Sequence, residues 1–291
     1  MEFASPEIRA PERTTHEFKG WRFEYAIPVR RGPRALVTFH GFARPLEDMF
    51  AFAGSVWPED RTLVAFHLPH HGQSRPIVMS DEAIPPALLH EAIVDILRRE
   101  GLDTAGADMI GYSIGGRVAL SMLVEAPLFW GRVLLMAPDG FVKNPFYRIT
   151  VHTALGRWAW HWMDRHAARV LAWNDRLQRW GLISKHLHGF GRFHMESHEM
   201  RMMVWHGWRA HRALWPDHAA IAAAFRRREG AGVRTDLVFG KKDQIIPASN
   251  AQRIQRKTRG LTHLHFHSIL SGHGMLRPDI VSEIIRRIFP L

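Results

Sequence analysis

Short apolar runs rich in Val, Leu and Phe alternate along the chain with longer stretches of helical periodicity. Residues 34–40 (RALVTFH), 61–67 (RTLVAFH), 107–112, 132–137, 233–239 and 262–269 read as buried strands. Residues 46–56, 82–100, 115–125 and 276–289 read as helices. In the second of these, Ala83, Ala87, Leu88, Ala92, Ile96 and Leu97 form an apolar stripe, and Pro127 stops the third. Strands alternating with helices predict an α/β fold, a mostly parallel sheet with helices on both faces. Alternation over residues 17–26 adds one or two antiparallel edge strands.

Residues 141–215 break this rhythm. They are helical in character and lack strand patterns, so the spacing predicts a helical cap inserted into an α/β core made of residues 1–140 and 216–291. The insertion holds eight of the eleven tryptophans, Trp158 and Trp162 among them, and 12 Lys/Arg against 4 Asp/Glu. Three uses fit this composition. The aromatics can line a pocket for an apolar acyl chain. They can rest with the arginines on an anionic lipid surface. Or they can pack the helices together while the arginines face water.

Composition narrows the chemistry. With no cysteine in 291 residues, disulfides, thiolate metal ligands and cysteine nucleophiles are excluded. The net charge of +11, carried mostly by arginine, is either a solvated surface or an attraction to something anionic. No helix-turn-helix, zinc-finger or RNP pattern accompanies it, so nucleic acid is not an expected partner. The first twenty residues hold no apolar leader and no stretch approaches the ~18 apolar residues of a spanning helix, which predicts a soluble protein of the cytoplasm. The pair His194 and His198 and the alternating His263, His265 and His267 invite a metal reading, but neither has a catalytic zinc spacing, and no metal or other cofactor is expected.

The chemistry-bearing signal is Gly111-Tyr112-Ser113-Ile114-Gly115-Gly116, between a predicted strand and a predicted helix. A serine on so sharp a turn takes a strained backbone that lifts its hydroxyl clear of the sheet, and bulk at the flanking glycines would clash. His40-Gly41-Phe42 follows the first buried strand, where the Phe42 amide can join that of Ile114 to bind an oxyanion, with His40, Gly41 and Tyr112 near the substrate. Asp243, in GKKDQIIP after a strand, and His273, in SGHG after the last strand, complete the order serine, acid, histidine. Asp139, after the strand 132–137, is the second candidate for the acid; Asp243 has the better surrounding motif. Asp108 is assigned to a surface or turn, and His70 and His71 to shaping their loop.

Together HGF (40–42), LPHHGQS (68–74), GYSIGG (111–116), GKKDQIIP (240–247) and SGHG (271–274) resemble the α/β-hydrolase superfamily, in its order and spacing. The second motif departs from the family's D-x-P-G-H-G-x-S, with His67 in place of the acid and His70 in place of the first glycine. Serine at position 113 argues against the dehalogenase and epoxide hydrolase branches, and Gly116 is similar to the compact carboxylesterase and lyase branches. The resemblance implies a carboxylic ester or thioester hydrolase acting on an apolar or amphiphilic small molecule. The alternative is a lyase or C–C bond hydrolase using the same triad on an anionic substrate. Some members are ligand receptors with slow turnover.

Overall fold

The computed structural model describes residues 11–52, 60–143 and 145–288. It begins with a hairpin, β1 (Arg13–Phe18) and β2 (Trp21–Val29), turned through Lys19 and Gly20, both at positive φ as a tight two-residue hairpin requires. There follow β3 (Arg34–Phe39), β4 (Arg61–Phe66), the two-residue β5 (Arg75–Pro76), α1 (Pro86–Arg99), β6 (Ala107–Tyr112), α2 (Ile114–Glu125) and β7 (Trp130–Met136). Five helices come next: α3 (Pro145–His152), α4 (Ala154–Arg165), α5 (Ala167–Arg179), α6 (Lys185–Met195) and α7 (His198–Ala210). The chain then returns through α8 (His218–Glu229), β8 (Thr235–Gly240), α9 (Gln252–Lys257), β9 (Leu264–Ile269) and α10 (Pro278–Ile288).

The sheet runs β1-β2-β4-β3-β6-β7-β8-β9, with β5 paired to β2. From β4 to β9 every pairing is parallel, and the antiparallel pairs are confined to the β1–β2–β4 end and β5. All six residues of β6 and of β8 are buried, as befits strands covered on both faces. On one face Leu36, Ile110, Leu134 and Val238 pack against Ile280, Val281, Ile284, Ile285 and Ile288 of α10. The strand order reverses between β3 and β6. The chain leaves β3 toward β4 on one side and resumes with β6 on the other, and such a switch point leaves a crevice at the carboxyl ends of the two strands.

Several expectations shift in detail. The helix expected over 46–56 is a 3-10 helix at Leu46–Phe52, started by Pro45; its remaining positions lie outside the described residues. The helix expected over 82–100 starts only at Pro86, because Pro85 and Pro86 forbid helical backbone upstream and suit the first helical position. Its buried line is Leu89, Ala92, Ile93, Ile96 and Leu97, while Ala87 is exposed. Asp108 is no surface residue. It is buried in β6, where it accepts the Arg61 Nε–H at 2.8 Å and the Arg132 amide at 2.7 Å. His194 and His198 lie on separate helices, α6 and α7, divided by the N-capping Ser197.

The chain divides into two compact units. One takes in the chain up to Ser80, Ile84–Phe141 and Ala213 onward, and carries the sheet with α1, α2 and α8–α10. Trp215 belongs to it, stacking on the Arg117 guanidinium 3.8 Å away and donating its indole N–H to the Gly140 carbonyl. The other unit is Val142–Arg212 with Asp81–Ala83, and holds α3–α7. Inside it Trp160 and Trp205 stack, and Arg201 donates to Asp164 at 2.6 Å. Among the described residues no helix is long and apolar enough to cross a membrane.

Candidate active site

Ser113 sits where β6 turns into α2, at φ 55° and ψ −118°, a conformation that L-residues adopt only under constraint. The constraint is packing. A Cβ at Gly115 would strike the carbonyls of Phe39 and His40 on the neighbouring strand, so only glycine lets the helix come this close. Gly111 is held likewise by the backbone of Gly115. Ser113 is partly exposed while its neighbours on both sides are buried, so the turn raises this one hydroxyl out of the core.

Two loops from separate strands, one after β8 and one after β9, complete the arrangement at this hydroxyl. His273, after β9, has its Nε2 3.0 Å from Ser113 Oγ and its Nδ1 2.8 Å from Asp243 Oδ2. The carboxylate of Asp243, itself buried, fixes the proton arrangement. As an acceptor it requires the proton on His273 Nδ1, which leaves Nε2 to accept from the serine. Its other oxygen accepts the amides of Ile245 and Ile246, both at 2.9 Å, which immobilises the carboxylate. The Tyr112 hydroxyl donates to the His273 carbonyl at 2.7 Å and its ring lies beside the imidazole. Burial pushes the Tyr112 phenol up to about 12, so it stays a neutral donor. Asp139 points elsewhere. It pairs with the buried Arg117 and accepts the Gly140 amide.

Phe42 lies just beyond the carboxyl end of β3, next to β6 across the switch point. Ile114 is the first residue of α2, a position whose amide has no intrahelical acceptor. The residues expected beside the substrate, His40, Gly41 and Tyr112, are all buried. His40 is fully buried, with Nδ1 2.6 Å from the Gly41 carbonyl and Nε2 accepting the Leu68 amide at 3.2 Å. Gly41 is buried against the Tyr112 ring, which leaves no room for a Cβ. With Tyr112 buried as well, all three pack side by side beneath the turn that follows β3. Trp158 and Trp162 lie on α4 of the helical unit, 60% and 39% exposed.

Sequence reasoning missed what holds the turn. His71 is buried and its Nε2 accepts the Ala43 amide at 2.9 Å, with Ala43 at φ 53°. Its Nδ1 lies 3.2 Å from the Pro69 carbonyl, and its ring packs edge-on against Phe42. Burial lowers His71 to about 4 and His67 to about 4, so both are neutral at pH 7. Glu24 of β2, also buried, accepts the Gln73 amide at 2.6 Å. The expected histidine groups have single carboxylate partners: His263 pairs with Glu229 and His267 with Asp236. Among the described residues no three such side chains converge as metal ligands.

The strand order, the strained serine turn and the helical insertion after β7 define the α/β-hydrolase fold. The chain is 31% identical over 224 residues to the dihydrolipoyllysine-residue acetyltransferase component of an acetoin cleaving system from Cupriavidus necator. That match takes in 76% of this chain but only 55% of the relative, so the chain spans about half the relative's length. An α/β-hydrolase enzyme from a Medee basin deep-sea metagenome library superposes with a TM-score of 0.64 at 14% identity, over 96% of this chain and 98% of that one. An esterase from Exiguobacterium antarcticum does so at 0.60 and 15% identity, over 95% and 98%. At these identities the solved structures show the fold. No protein-family model matches the chain.

Proposed function

We propose that the chain is a serine hydrolase of carboxylic esters or thioesters, with Ser113 as nucleophile, His273 as general base and Asp243 as its orienting acid. The observation that carries this reading is the unbroken series Ser113 Oγ to His273 Nε2 at 3.0 Å and His273 Nδ1 to Asp243 Oδ2 at 2.8 Å, hung from a strained turn at the switch point of the sheet. A relative named for acetyl transfer and a fold neighbour named an esterase lend it support, since both names denote acyl chemistry.

In this reading Ser113 Oγ attacks the carbonyl carbon while its proton passes to His273 Nε2. The carbonyl oxygen becomes an oxyanion held by the Phe42 and Ile114 amides. The tetrahedral species collapses, the carbon–oxygen or carbon–sulfur bond breaks, and His273 returns the proton to the departing alkoxide or thiolate. Water then attacks the acyl-serine, giving its proton to His273, and collapse releases the carboxylic acid and restores Ser113. These steps call on no cofactor, and the substrate is a small-molecule ester or thioester.

The test is a chain-length panel of p-nitrophenyl esters and acyl thioesters with wild type and Ser113→Ala. The expected result is turnover by wild type, a fall of about 10⁴-fold or more in kcat for the variant, and fluorophosphonate labelling of Ser113 alone. Equal turnover by the variant refutes the assignment.

A further inference from the structure

The helical unit exposes a surface rich in tryptophan and arginine. α5 has no buried residue anywhere along its 13 positions. Its outermost line is Arg169, Trp173, Arg176 and Trp180, spaced by four, three and four residues and so confined to an arc of about 60°. Trp173 is 56% and Trp180 64% exposed, and the Arg176 guanidinium sits 5.9 Å from the centre of the Trp173 ring. On α4, Trp158 and Trp162 repeat the pattern four residues apart, also exposed. Scattered exposed apolar side chains are ordinary, but indoles aligned on one helical line are not.

The charge around them names the occupant. Residues 142–212 carry 12 Lys/Arg and 4 Asp/Glu, a net of +8 out of +11 for the whole chain. An apolar protein partner would be met by a face without interleaved cations. Indoles and guanidiniums facing outward together suit a planar boundary, where the rings enter at headgroup depth and the arginines meet phosphates. We propose that the outward line of α5 docks this protein on an anionic phospholipid bilayer, with Trp173 and Trp180 in the interfacial layer and Arg169 and Arg176 on lipid phosphates. The docking does not depend on the role given to Ser113.

The experiment is co-sedimentation of the full chain with vesicles of phosphatidylcholine alone and of phosphatidylcholine mixed with phosphatidylglycerol, with tryptophan emission recorded in parallel. The expected result is binding to the mixed vesicles only, a blue-shifted emission, and release at about 0.5 M salt. Arg169→Gln and Arg176→Gln should each lower the partition coefficient about fivefold. Trp173→Ala with Trp180→Ala should lower it at least tenfold and abolish the blue shift. All four side chains are exposed, so the variants should keep the wild-type circular dichroism and urea midpoint, and Ser113→Ala should bind as wild type does. Three results overturn the proposal: no phosphatidylglycerol-dependent sedimentation, unchanged partitioning of the tryptophan variant, or binding to poly(U) at about 0.15 M salt where the vesicles bind nothing.

Discussion

His71 links the turn after β3 to the pH stability of the fold, and the link has a definite sign. Burial, the largest cause, lowers the imidazole from its ordinary 6.5 to about 4. Its Nε2 must also stay unprotonated to accept the Ala43 amide. Between pH 6.5 and about 4 the unfolded chain therefore binds a proton that the folded protein refuses. Stability from this group is complete above pH 6.5 and is lost as the pH falls through that window. At about 1.4 kcal/mol per pH unit, the loss between pH 6.5 and pH 5 is about 2 kcal/mol. His71→Gln removes the titration and keeps an acceptor, since the glutamine amide oxygen can take the Ala43 N–H. Urea unfolding at pH 7 and pH 5 measures the effect. The wild type should lose about 2 kcal/mol more than the variant over this interval, while His67, lowered by the same burial, leaves both with some slope. An equal loss in both proteins would refute the reasoning.

Two further substitutions separate the roles of the acids and of the core. Asp243→Asn should lower kcat for esters about 10³–10⁴-fold with little change in stability, by leaving His273 in the wrong tautomer. Asp139→Asn should change kcat less than about tenfold but cost about 1–2 kcal/mol in urea unfolding, because it removes the charge that faces the buried Arg117. Arg228, fully buried in α8, donates to the carbonyls of Pro127, Trp130 and Gly131. Arg228→Met should lower stability by at least about 3 kcal/mol with kcat per folded molecule unchanged.

Local signals carried far in this chain because most of its elements are locally determined. Apolar runs bounded by glycine turns mark the strands, and the strained serine turn is legible because two flanking glycines are its steric condition. Long-range pairing was not legible. Nothing in the sequence around Asp108 announces that Arg61 and the Arg132 amide would meet it inside the sheet. HGF places His40 among the candidate site residues, but nothing in that motif announces that its Nε2 accepts the Leu68 amide from another loop. Trp215 counts with the helical segment by composition, but its indole N–H finds Gly140 just after β7 and its ring finds Arg117 of α2.

The departure at His67 changes which residue holds the loop 68–74. The loop 68–74 needs a buried acceptor for its own amides, and the position where the resembling family keeps an acid holds a histidine that is neutral at pH 7. The acceptor comes instead from β2. Glu24 takes the Gln73 amide at 2.6 Å and its own amide donates to Ser74 Oγ at 2.8 Å. The Glu24 carbonyl accepts the His67 amide at 2.9 Å, so strand and loop are tied at three points. With its conformation secured from the strand, the loop presents His71 to Ala43, and Ala43 follows Phe42, whose amide is assigned to the oxyanion. Glu24 lies 43 residues before His67, so the acceptor for this loop is set by which strand the sheet brings near and not by the loop's own sequence.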